Sequence, residues 1–503
     1  MPHILNILIW FPILAGCFLL AAADDNNAPG IAKFLGLFTV LICLVLCVPL
    51  VLQFDSSIYA MQFVERVSWL PSLGISYSLG IDGLSLLLIV LSIFTTLIVL
   101  LATWNSIHKR VSQYVAAFLL MQGLLVGVFS ALDSLVFYIF WEATLIPMYL
   151  IIGVWGSDNR IYASIKFFLY TFLGSVLMLL AFLYMAYKSG SFEIVKFYDL
   201  KMPMSAQSLI FIAFFLGFAI KIPMWPVHTW LPDAHTEAPA GGSIMLAAVL
   251  LKLGGYGFLR FALPIVPDAS QYYSGVMVGL SLVAVIYVGL VAIVQTDMKK
   301  LIAYSSISHM GFVTLGCFAI FSIFKQTGQM KEAALIFEGS IIVMISHAFV
   351  SSGMFAGVGF IYDRMHTREI KNFGGIINTM PLYASFMMLF AMANAGLPGT
   401  SGFVGEFMVI LGAVKSGFWI AFLAATTLIV GAAYTLWMYK RVIFGDVKNE
   451  QVKKLSDISG YEVAAFTILA IMVLAMGIYP EPILKVMHQS VNHILTLSAQ
   501  TKL

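Results

Sequence analysis

Long apolar runs, separated by short polar breaks, follow one another along the whole chain. A helix of about twenty apolar residues crosses the ~30 Å hydrocarbon layer of a membrane, and it satisfies its own backbone hydrogen bonds there. The pattern therefore predicts an all-α polytopic membrane protein with about fourteen transmembrane helices. The predicted spans are residues 4–23, 31–52, 83–104, 114–132, 135–154, 161–187, 208–230, 241–262, 273–294, 299–321, 333–361, 380–414, 417–443 and 461–479.

One segment departs from this pattern. Residues 53–80 mix polar and apolar positions, and the two kinds alternate from Ile75 to Leu79. Alternation with a period of two is typical of a β-strand. We therefore expect a short hairpin outside the membrane, between the second and third spans.

The composition agrees with a membrane location and excludes several other classes of protein. The 503 residues are 61% hydrophobic and 10% charged, against roughly 25% charged for an ordinary soluble domain. The formal charge of +3 is not gathered into a basic cluster, so nucleic acid is not an expected partner. Cys17, Cys43, Cys47 and Cys317 fall inside apolar runs, without the paired spacing of zinc or iron–sulfur ligands. No metal or cofactor is therefore expected on this chain.

The lysines and arginines of the loops predict the orientation of the chain, because they favour the cytoplasmic side. The loops of one side hold Lys33, Lys109, Arg110, Arg160, Lys299, Lys300, Arg364, Arg368, Lys371, Lys440, Arg441, Lys448, Lys453 and Lys454. The other side is poorer, with Arg66, Lys188, Lys196, Lys201, Arg260, Lys325, Lys331, Lys415, Lys485 and Lys502. Both termini are therefore expected on the outer, periplasmic side.

Two spans are interrupted by proline and glycine. Lys221 ends an apolar run and is followed by Pro223 and Pro226, which remove helix hydrogen bonds beside the charge. The segment AGLPGTSG, around Pro398, interrupts the twelfth span in the same way, and Glu406 follows it. Paired interruptions of this kind are typical of inverted-repeat transporters. We therefore predict two inverted repeats of five helices, each containing a broken helix.

This prediction divides the chain into four parts. Residues 1–113 hold helices 1–3, and residues 114–262 form the first repeat, helices 4–8. Residues 273–443 form the second inverted repeat, helices 9–13, and residues 444–503 hold helix 14 and a tail. A short likeness between YTFLGS (170–175) and SHAFVS (346–351) supports the division.

Two lysines, Lys221 and Lys252, and one glutamate, Glu142, lie deep in apolar spans, away from the loop charges. An ionised group at the centre of a membrane helix costs at least ~2.5–3.5 kcal/mol, so function is favoured over a role in packing alone. Burial disfavours the charged form of an amine, and a nearby carboxylate favours it. A lysine whose partner can change is therefore able to load and release a proton. Lys166 lies near the end of its span and is expected to reach the headgroups.

Two histidines also lie within predicted spans, and each has two interpretations. His309 has Ser305 and Ser306 four and three residues back on its own helix face. His347 has Ser351 at the next turn. Each histidine either is held by these hydroxyls as a packing residue or relays a proton.

Other polar residues near the first break have structural interpretations. His228, Asp233 and His235 resemble a metal motif, but the run contains prolines and no further ligand cluster, so anchoring of a loop is favoured. Asp133 opens the fifth span and is expected to cap its N-terminus.

The sequence resembles the antiporter-like membrane subunits of the proton-pumping NADH:quinone oxidoreductase, respiratory complex I. The resemblance covers nearly the whole chain and is strongest in FWEATLIPMY (140–149), KIPMWPVHTWLPDAH (221–235), TDMKKLIAYSSISHMGFV (296–313) and GLPGTSGFVGEF (396–407). The same superfamily includes the Mrp-type cation/proton antiporters and the membrane-bound hydrogenases.

The resemblance implies roles for particular residues. Glu142 and Lys221 would form a pair, and Lys252 and His309 would continue a buried hydrophilic axis. At the last position the sister subunits L and N have lysine, whereas Glu406 is the residue of the subunit M type. With His347, the residues expected to carry protons are Glu142, Lys221, Lys252, His309, His347 and Glu406. A proton would be taken up near Lys252 and His309, exchanged with Lys221, and released through Glu406.

The resemblance also implies the setting of the chain. NAD, FMN, the iron–sulfur clusters and quinone would be bound by partner subunits, and the neighbours would be subunits L and N and small membrane subunits. A bacterial cytoplasmic (inner) membrane is favoured over the mitochondrial inner membrane. The alternatives are a subunit of an Mrp-type antiporter or a membrane-bound hydrogenase, a stand-alone sodium/proton antiporter, and a non-transporting scaffold. The scaffold leaves the buried charges unexplained.

Overall fold

A computed structural model describes residues 3–22, 29–447 and 449–503, so Lys448 and the end of the first predicted span, residue 23, lie outside the described residues. A bundle of long helices carries one two-stranded sheet. The helices are α1 (Ile4–Ala22), α2 (Pro29–Leu52), α3 (Gly83–Ala102), α4 (Val111–Ser130), α5 (Ser134–Trp155), α6 (Arg160–Ser189), α7 (Met204–Lys221), α8 (Trp230–Glu237), α9 (Ala240–Ile265), α10 (Pro267–Ile293), α11 (Met298–Thr327), α12 (Ala334–Met365), α13 (Pro381–Asn394), α14 (Ser401–Ala413), α15 (Phe418–Ile443), α16 (Tyr461–Ile478) and α17 (Glu481–Ser498).

The predicted membrane fold is confirmed. Within the described residues, 13 helices are long and apolar enough to cross a membrane. The remaining predicted span, 380–414, is present as the two half-helices α13 and α14. Helix α9 lies at the centre of the bundle with its apolar window fully buried, whereas the outer helices expose large apolar side chains, as a lipid-facing surface requires. The inverted relation of the two repeats stays a prediction.

The expected hairpin is also present. Strands β1 (Gln62–Leu70) and β2 (Ile75–Ile81) pair in antiparallel register. The turn between them ends at Gly74, whose φ of +69° favours glycine. The hairpin follows α2 and precedes α3, and we call the side of the bundle on which it lies the hairpin face.

Both predicted helix breaks are found. Helix α7 ends at Lys221, and the chain turns before α8 begins at Trp230. The Trp230 indole donates to the backbone oxygen of Ile220 at 2.8 Å, which ties the two pieces together. Between α13 and α14, Gly396 and Gly399 have φ values of +79° and +88°. Their left-handed backbone interrupts the helix where a continuous one would otherwise form.

The C-terminal residues differ from the expectation of a tail. Glu481–Ser498 form an amphipathic helix, α17, on the hairpin face. Its Ser490 hydroxyl accepts from the backbone N–H of Gly83, the first residue of α3 (3.0 Å). Its His488 lies 2.6 Å from Glu338 of α12. Because this segment contains many polar residues, the apolar-run pattern did not predict a helix here. The helix packs through its apolar side and does not cross the membrane.

Gly83 provides a test of this docking. An added Cβ at Gly83 would lie 2.0 Å from the backbone oxygen of Val486 in α17. Backbone cannot swing aside as the end of a side chain can, and such overpacking typically costs about 1–3 kcal/mol. We expect Gly83→Ala to lower the thermal unfolding midpoint of the purified protein. Gly275→Ala in α10, where no atom lies within 4 Å of the added Cβ, is the matched control. Equal midpoints for the two variants would contradict the docking.

Candidate functional site

The centre of the site is Lys252, in the middle of the fully buried helix α9. The turn before it, Leu246–Leu250, is a π-helical segment, a wider turn that often marks functional sites. The Lys252 ammonium donates to the backbone oxygen of Ala247 at 2.5 Å, and it lies 2.8 Å from Nδ1 of His347 on α12. The ammonium is thus held inside the bundle by α9 itself and by α12.

A second contact joins His309 of α11 to Glu406 of α14. Nδ1 of His309 lies 2.7 Å from Oε1 of Glu406, and both residues are buried. The hydroxyls of the same helix face bond elsewhere: Ser305 to the Asn394 side chain and Ser306 to the backbone oxygen of Ile302. The interpretation of His309 as a histidine satisfied by its own serines is therefore wrong.

His347 and His309 bring the two contacts together. Their ring centroids are 5.7 Å apart. A cavity of about 10 Å³ lies against both rings, Glu406 and Asn394, and that volume accommodates roughly one water molecule. Lys252, His347, His309 and Glu406 therefore form one series of adjacent groups, which we call the buried axis. Among the described residues, the Ser351 hydroxyl donates to the backbone oxygen of His347 (2.5 Å) and not to its ring.

The break between α13 and α14 holds Glu406 in place. Asn394, the last residue of α13, donates to the Thr435 hydroxyl at 2.8 Å. Ser401, the first residue of α14, accepts from Ser346 of α12 at 3.1 Å. Polar side chains thus fasten both sides of the interruption to neighbouring helices, and Glu406 follows in the second turn of α14.

Lys221 and Glu142 are near each other but not in contact. Among the described residues the Lys221 ammonium has no hydrogen-bond partner. It lies 5.6 Å from the ring centre of Trp141 and 5.4 Å from that of Phe167, within the range of cation–π attraction. Glu142 is half-buried and interacts with Lys221 only through space. The two residues of the implied pair therefore interact electrostatically across a gap, without a hydrogen bond between them.

The polar groups on the side opposite the hairpin face continue toward Lys252. Lys299, which the loop count placed outside the membrane, is buried and donates to the backbone oxygen of Ala238 at 2.6 Å. His235 is fully buried, stacks on Phe355 at 4.5 Å, and interacts electrostatically with both Lys299 and Lys252. The His235 ring therefore contacts α12 by stacking and not by a hydrogen bond, since neither ring nitrogen has a hydrogen-bond partner among the described residues.

The predictions for two aspartates agree with the structure, and one for a lysine does not. Asp233 forms an ion pair with Lys166 at 2.7 Å, so it does anchor its segment. Lys166 therefore reaches a carboxylate and not the lipid headgroups. Asp133 caps α5 by accepting from the backbone N–H groups of Leu135 and Val136.

Sequence reasoning missed one buried ion pair. Arg260, which was assigned to a loop, lies inside α9 and pairs with Asp82 at the start of α3 (2.7 Å). Only 5% of the Arg260 side chain and 4% of the Asp82 side chain are exposed. Arg260 lies two residues from the end of the predicted span, at 262, and was therefore counted with the loop charges. Its spacing of eight residues from Lys252, which places both on one helix face, was the available signal.

Known proteins are similar to this chain in both fold and sequence. The family model described as NADH:quinone oxidoreductase/Mrp antiporter, TM, matches residues 131–431. NADH-quinone oxidoreductase subunit M of Rhodobacter capsulatus is 46% identical over 511 residues, which cover 98% of this chain and 97% of the relative. A chain of respiratory complex I from Thermus thermophilus with bound NADH superposes with a TM-score of 0.88 at 29% identity, over 99% of this chain and 100% of that one.

A more distant structure shares the fold alone. A chain of the Mrp complex from Dietzia sp. superposes with a TM-score of 0.83 at 20% identity, over 98% of both chains. The family model, by contrast, covers more than half of this chain, and the 46% identity to subunit M extends over nearly all of it. The chain therefore belongs to the NADH:quinone oxidoreductase/Mrp antiporter family of transmembrane subunits, as a relative of its subunit M members.

Proposed function

We propose that this chain is a proton-translocating membrane subunit, of the subunit M type, in an NADH:quinone oxidoreductase. The observation that carries the proposal is the buried axis, in which Lys252, His347, His309 and Glu406 follow one another with hydrogen-bond contacts at both ends. Four adjacent titratable groups at the centre of a membrane bundle raise the free energy of the folded state, so their presence indicates a function. Proton transfer along such a row of groups is a function that accounts for their burial.

The contacts support a route for a proton along the axis. The Lys252 ammonium and the neutral Nδ1 of His347 share one hydrogen bond of 2.8 Å, so the proton can reside on either nitrogen. The His309–Glu406 contact of 2.7 Å offers the same choice between nitrogen and carboxylate. Between the two histidines, a water in the small cavity links the rings, since it would have several polar partners there.

Lys221 and Glu142 control the axis from the side. Lys221 is held in aromatic surroundings without a hydrogen bond, so its charge depends on Glu142 more than on any other neighbour. Glu142 is half-buried, and the exposed side chains Ile139 and Ile146 flank it on the same helix. A neighbouring membrane subunit that packs there changes the field at Lys221, and this couples one subunit to the next.

The direction of transport follows from the orientation predicted by the loop charges. The hairpin face is the periplasmic side of a bacterial cytoplasmic membrane, and both termini lie there. Protons are taken up on the opposite side, where Lys299 and His235 lead to Lys252, and they are exchanged with Lys221. Glu406 releases them toward the hairpin face.

The redox chemistry takes place on other chains of the complex. NADH, FMN, the iron–sulfur clusters and quinone are bound by partner subunits, and subunits L and N are the sister neighbours in the membrane. This chain contributes its proton route and receives the driving force through the side that carries Glu142.

A cation antiporter is the competing function within the same family. A sodium site requires several oxygen ligands around one point. The buried axis instead holds a single carboxylate, Glu406, which already contacts His309, and it ends at an ammonium, Lys252, which contacts His347. Groups that carry positive charge themselves repel a metal cation, so the arrangement favours protons.

Glu142 tests the control of Lys221 from a distance. Glu142→Gln is nearly isosteric and breaks no hydrogen bond to Lys221, so the complex should assemble normally. The loss of the counter-charge should nevertheless reduce NADH-driven proton pumping, measured by acidification of inverted membrane vesicles. Normal pumping by the assembled variant would exclude the proposed control.

Lys252 tests whether the central charge must be released. Arginine keeps a positive charge but does not give up its proton in a protein. We expect Lys252→Arg to assemble and to pump poorly. Lys166→Arg, at the ion pair with Asp233, is the matched control and should behave as wild type, because only a fixed charge is needed there. Similar activity in both variants would leave Lys252 with a structural role only.

Glu406 is the proposed last position before release. Glutamine cannot take up or release a proton, so we expect Glu406→Gln to reduce pumping at least about tenfold, equivalent to roughly 1.4 kcal/mol in the barrier. Glu406→Asp should keep part of the activity. Glu406→Lys should keep more than Gln, since a buried lysine also titrates. The measurement is NADH-driven proton uptake into inverted vesicles, normalised to assembled complex.

A similar contact outside the axis supplies the control for Glu406. Glu338 also contacts a histidine, His488, at 2.6 Å, but on the hairpin face. Glu338→Gln should therefore pump normally. Should Glu406→Gln match wild type while Glu406→Lys is inactive, Glu406 serves only to hold the helix break, and release must follow another route.

A further inference from the structure

Helix α9 carries a polar stripe that starts at Lys252 and extends beyond the buried axis. Lys252, Tyr256 and Arg260 are spaced four residues apart and therefore share one face of the helix. The stripe runs from the centre of the bundle toward the hairpin face, because α9 ends at Ile265 and Arg260 pairs with Asp82, which directly follows the hairpin. About 12 Å of helix axis separates Lys252 from Arg260.

A closed set of hydrogen bonds surrounds Arg260. Its Nε donates to the Tyr256 hydroxyl at 3.2 Å, and its NH2 group lies 3.3 Å from the Ser85 hydroxyl and 2.7 Å from Asp82. Asp82 in turn accepts from the backbone N–H of Ser85 at 3.0 Å. The guanidinium is thus held in one position by groups from α9 and α3.

A small cavity lies between the hairpin segment and this cluster. The cavity, of about 10 Å³, is lined by Met61 of the hairpin segment and by Ser85, Tyr198, Tyr256 and Arg260, among others. This volume holds roughly one water molecule. A proton from the hairpin face can therefore approach Arg260, and beyond it lies the stripe that leads to Lys252.

The charge of Arg260 opposes such a proton. A guanidinium stays protonated in a protein, so it cannot relay a proton by releasing its own. A fixed arginine in a narrow polar passage is an electrostatic barrier to protons and cations. The field extends to α17, where burial first, and then the charge of Arg260, lower the pKa of His493, although Asp82 partly opposes this. The surroundings thus disfavour additional positive charge.

We infer that Arg260, held by Asp82, Tyr256 and Ser85, is a seal that prevents protons of the hairpin face from returning along α9 to Lys252. The inference rests on the proposed role of Lys252 in proton transport. It gives the ion pair a function beyond joining α9 to α3: the barrier keeps the gradient that the buried axis builds.

The test is a passive proton leak in liposomes that contain the purified, assembled complex. A pH gradient is imposed without NADH, and its decay is followed with a pH dye in the lumen. We expect Arg260→Gln combined with Asp82→Asn to speed the decay several-fold. The two amides can still bond each other, and asparagine still caps α3, so the fold is retained. Adding Lys252→Met should abolish the extra leak, and Arg260→Lys, which keeps the charge, should stay tight.

A second buried ion pair is the matched control. Arg364 and Glu462 join α12 to α16 at 2.7 Å. Arg364→Gln combined with Glu462→Gln should not leak, because this pair lies outside the stripe of α9.

Two results would overturn the seal. One is a tight membrane with the assembled Arg260→Gln, Asp82→Asn complex. The other is a leak that persists after Lys252→Met, because the passage would then not use Lys252. If the double variant does not assemble, Tyr256→Phe combined with Ser85→Ala frees Arg260 from two of its anchors and should leak to a smaller extent, and an unchanged decay contradicts the inference. The leak is measured without turnover, so its outcome is independent of whether Lys252→Arg abolishes NADH-driven pumping.

Discussion

The cost of placing charge inside hydrocarbon governs the centre of this protein. An ionised side chain in the middle of a membrane helix is unfavourable by several kcal/mol unless other polar groups accept it. Lys252 meets that requirement with a backbone oxygen and His347, and Glu406 meets it with His309. Lys252 and Glu406 each have a partner on another helix, so the positions of α9, α11, α12 and α14 depend on one another.

The helix packing and the helix breaks both serve this requirement. Gly254 lets α9 lie against α7 so closely that an added Cβ would be 2.5 Å from the backbone oxygen of Phe218. The interruption between α13 and α14 exposes backbone at the depth of the buried axis, which a membrane tolerates only where the protein itself surrounds it. Asn394 and Ser401 surround it with side-chain hydrogen bonds. Irregular backbone and buried charge therefore occur at the same depth, because both need the polar side chains that neighbouring helices supply there.

The charged groups differ in how firmly they are held, and the difference agrees with their proposed roles. Arg260 is fixed by an ion pair and two hydroxyls, and its charge is permanent. Lys252 and Glu406 each share one short contact with a histidine, which can take or give a proton. Lys221 has aromatic rings around it and no hydrogen-bond partner among the described residues. A fixed charge suits a barrier, a shared proton suits transfer, and an isolated ammonium suits control by a distant carboxylate.

The sequence by itself determined the membrane fold, the hairpin, both helix breaks and the buried positions of Lys221 and Lys252, because apolar run length, alternation, proline and charge within an apolar run are local properties. It did not determine which residues meet. His309 was compared with the serines of its own helix, whereas its partner Glu406 is 97 residues away. Arg260 and Lys299 were assigned to loops because a position near the end of a span does not reveal whether lipid or protein surrounds it. Contacts between helices depend on how the helices pack, and only the tertiary structure decided them.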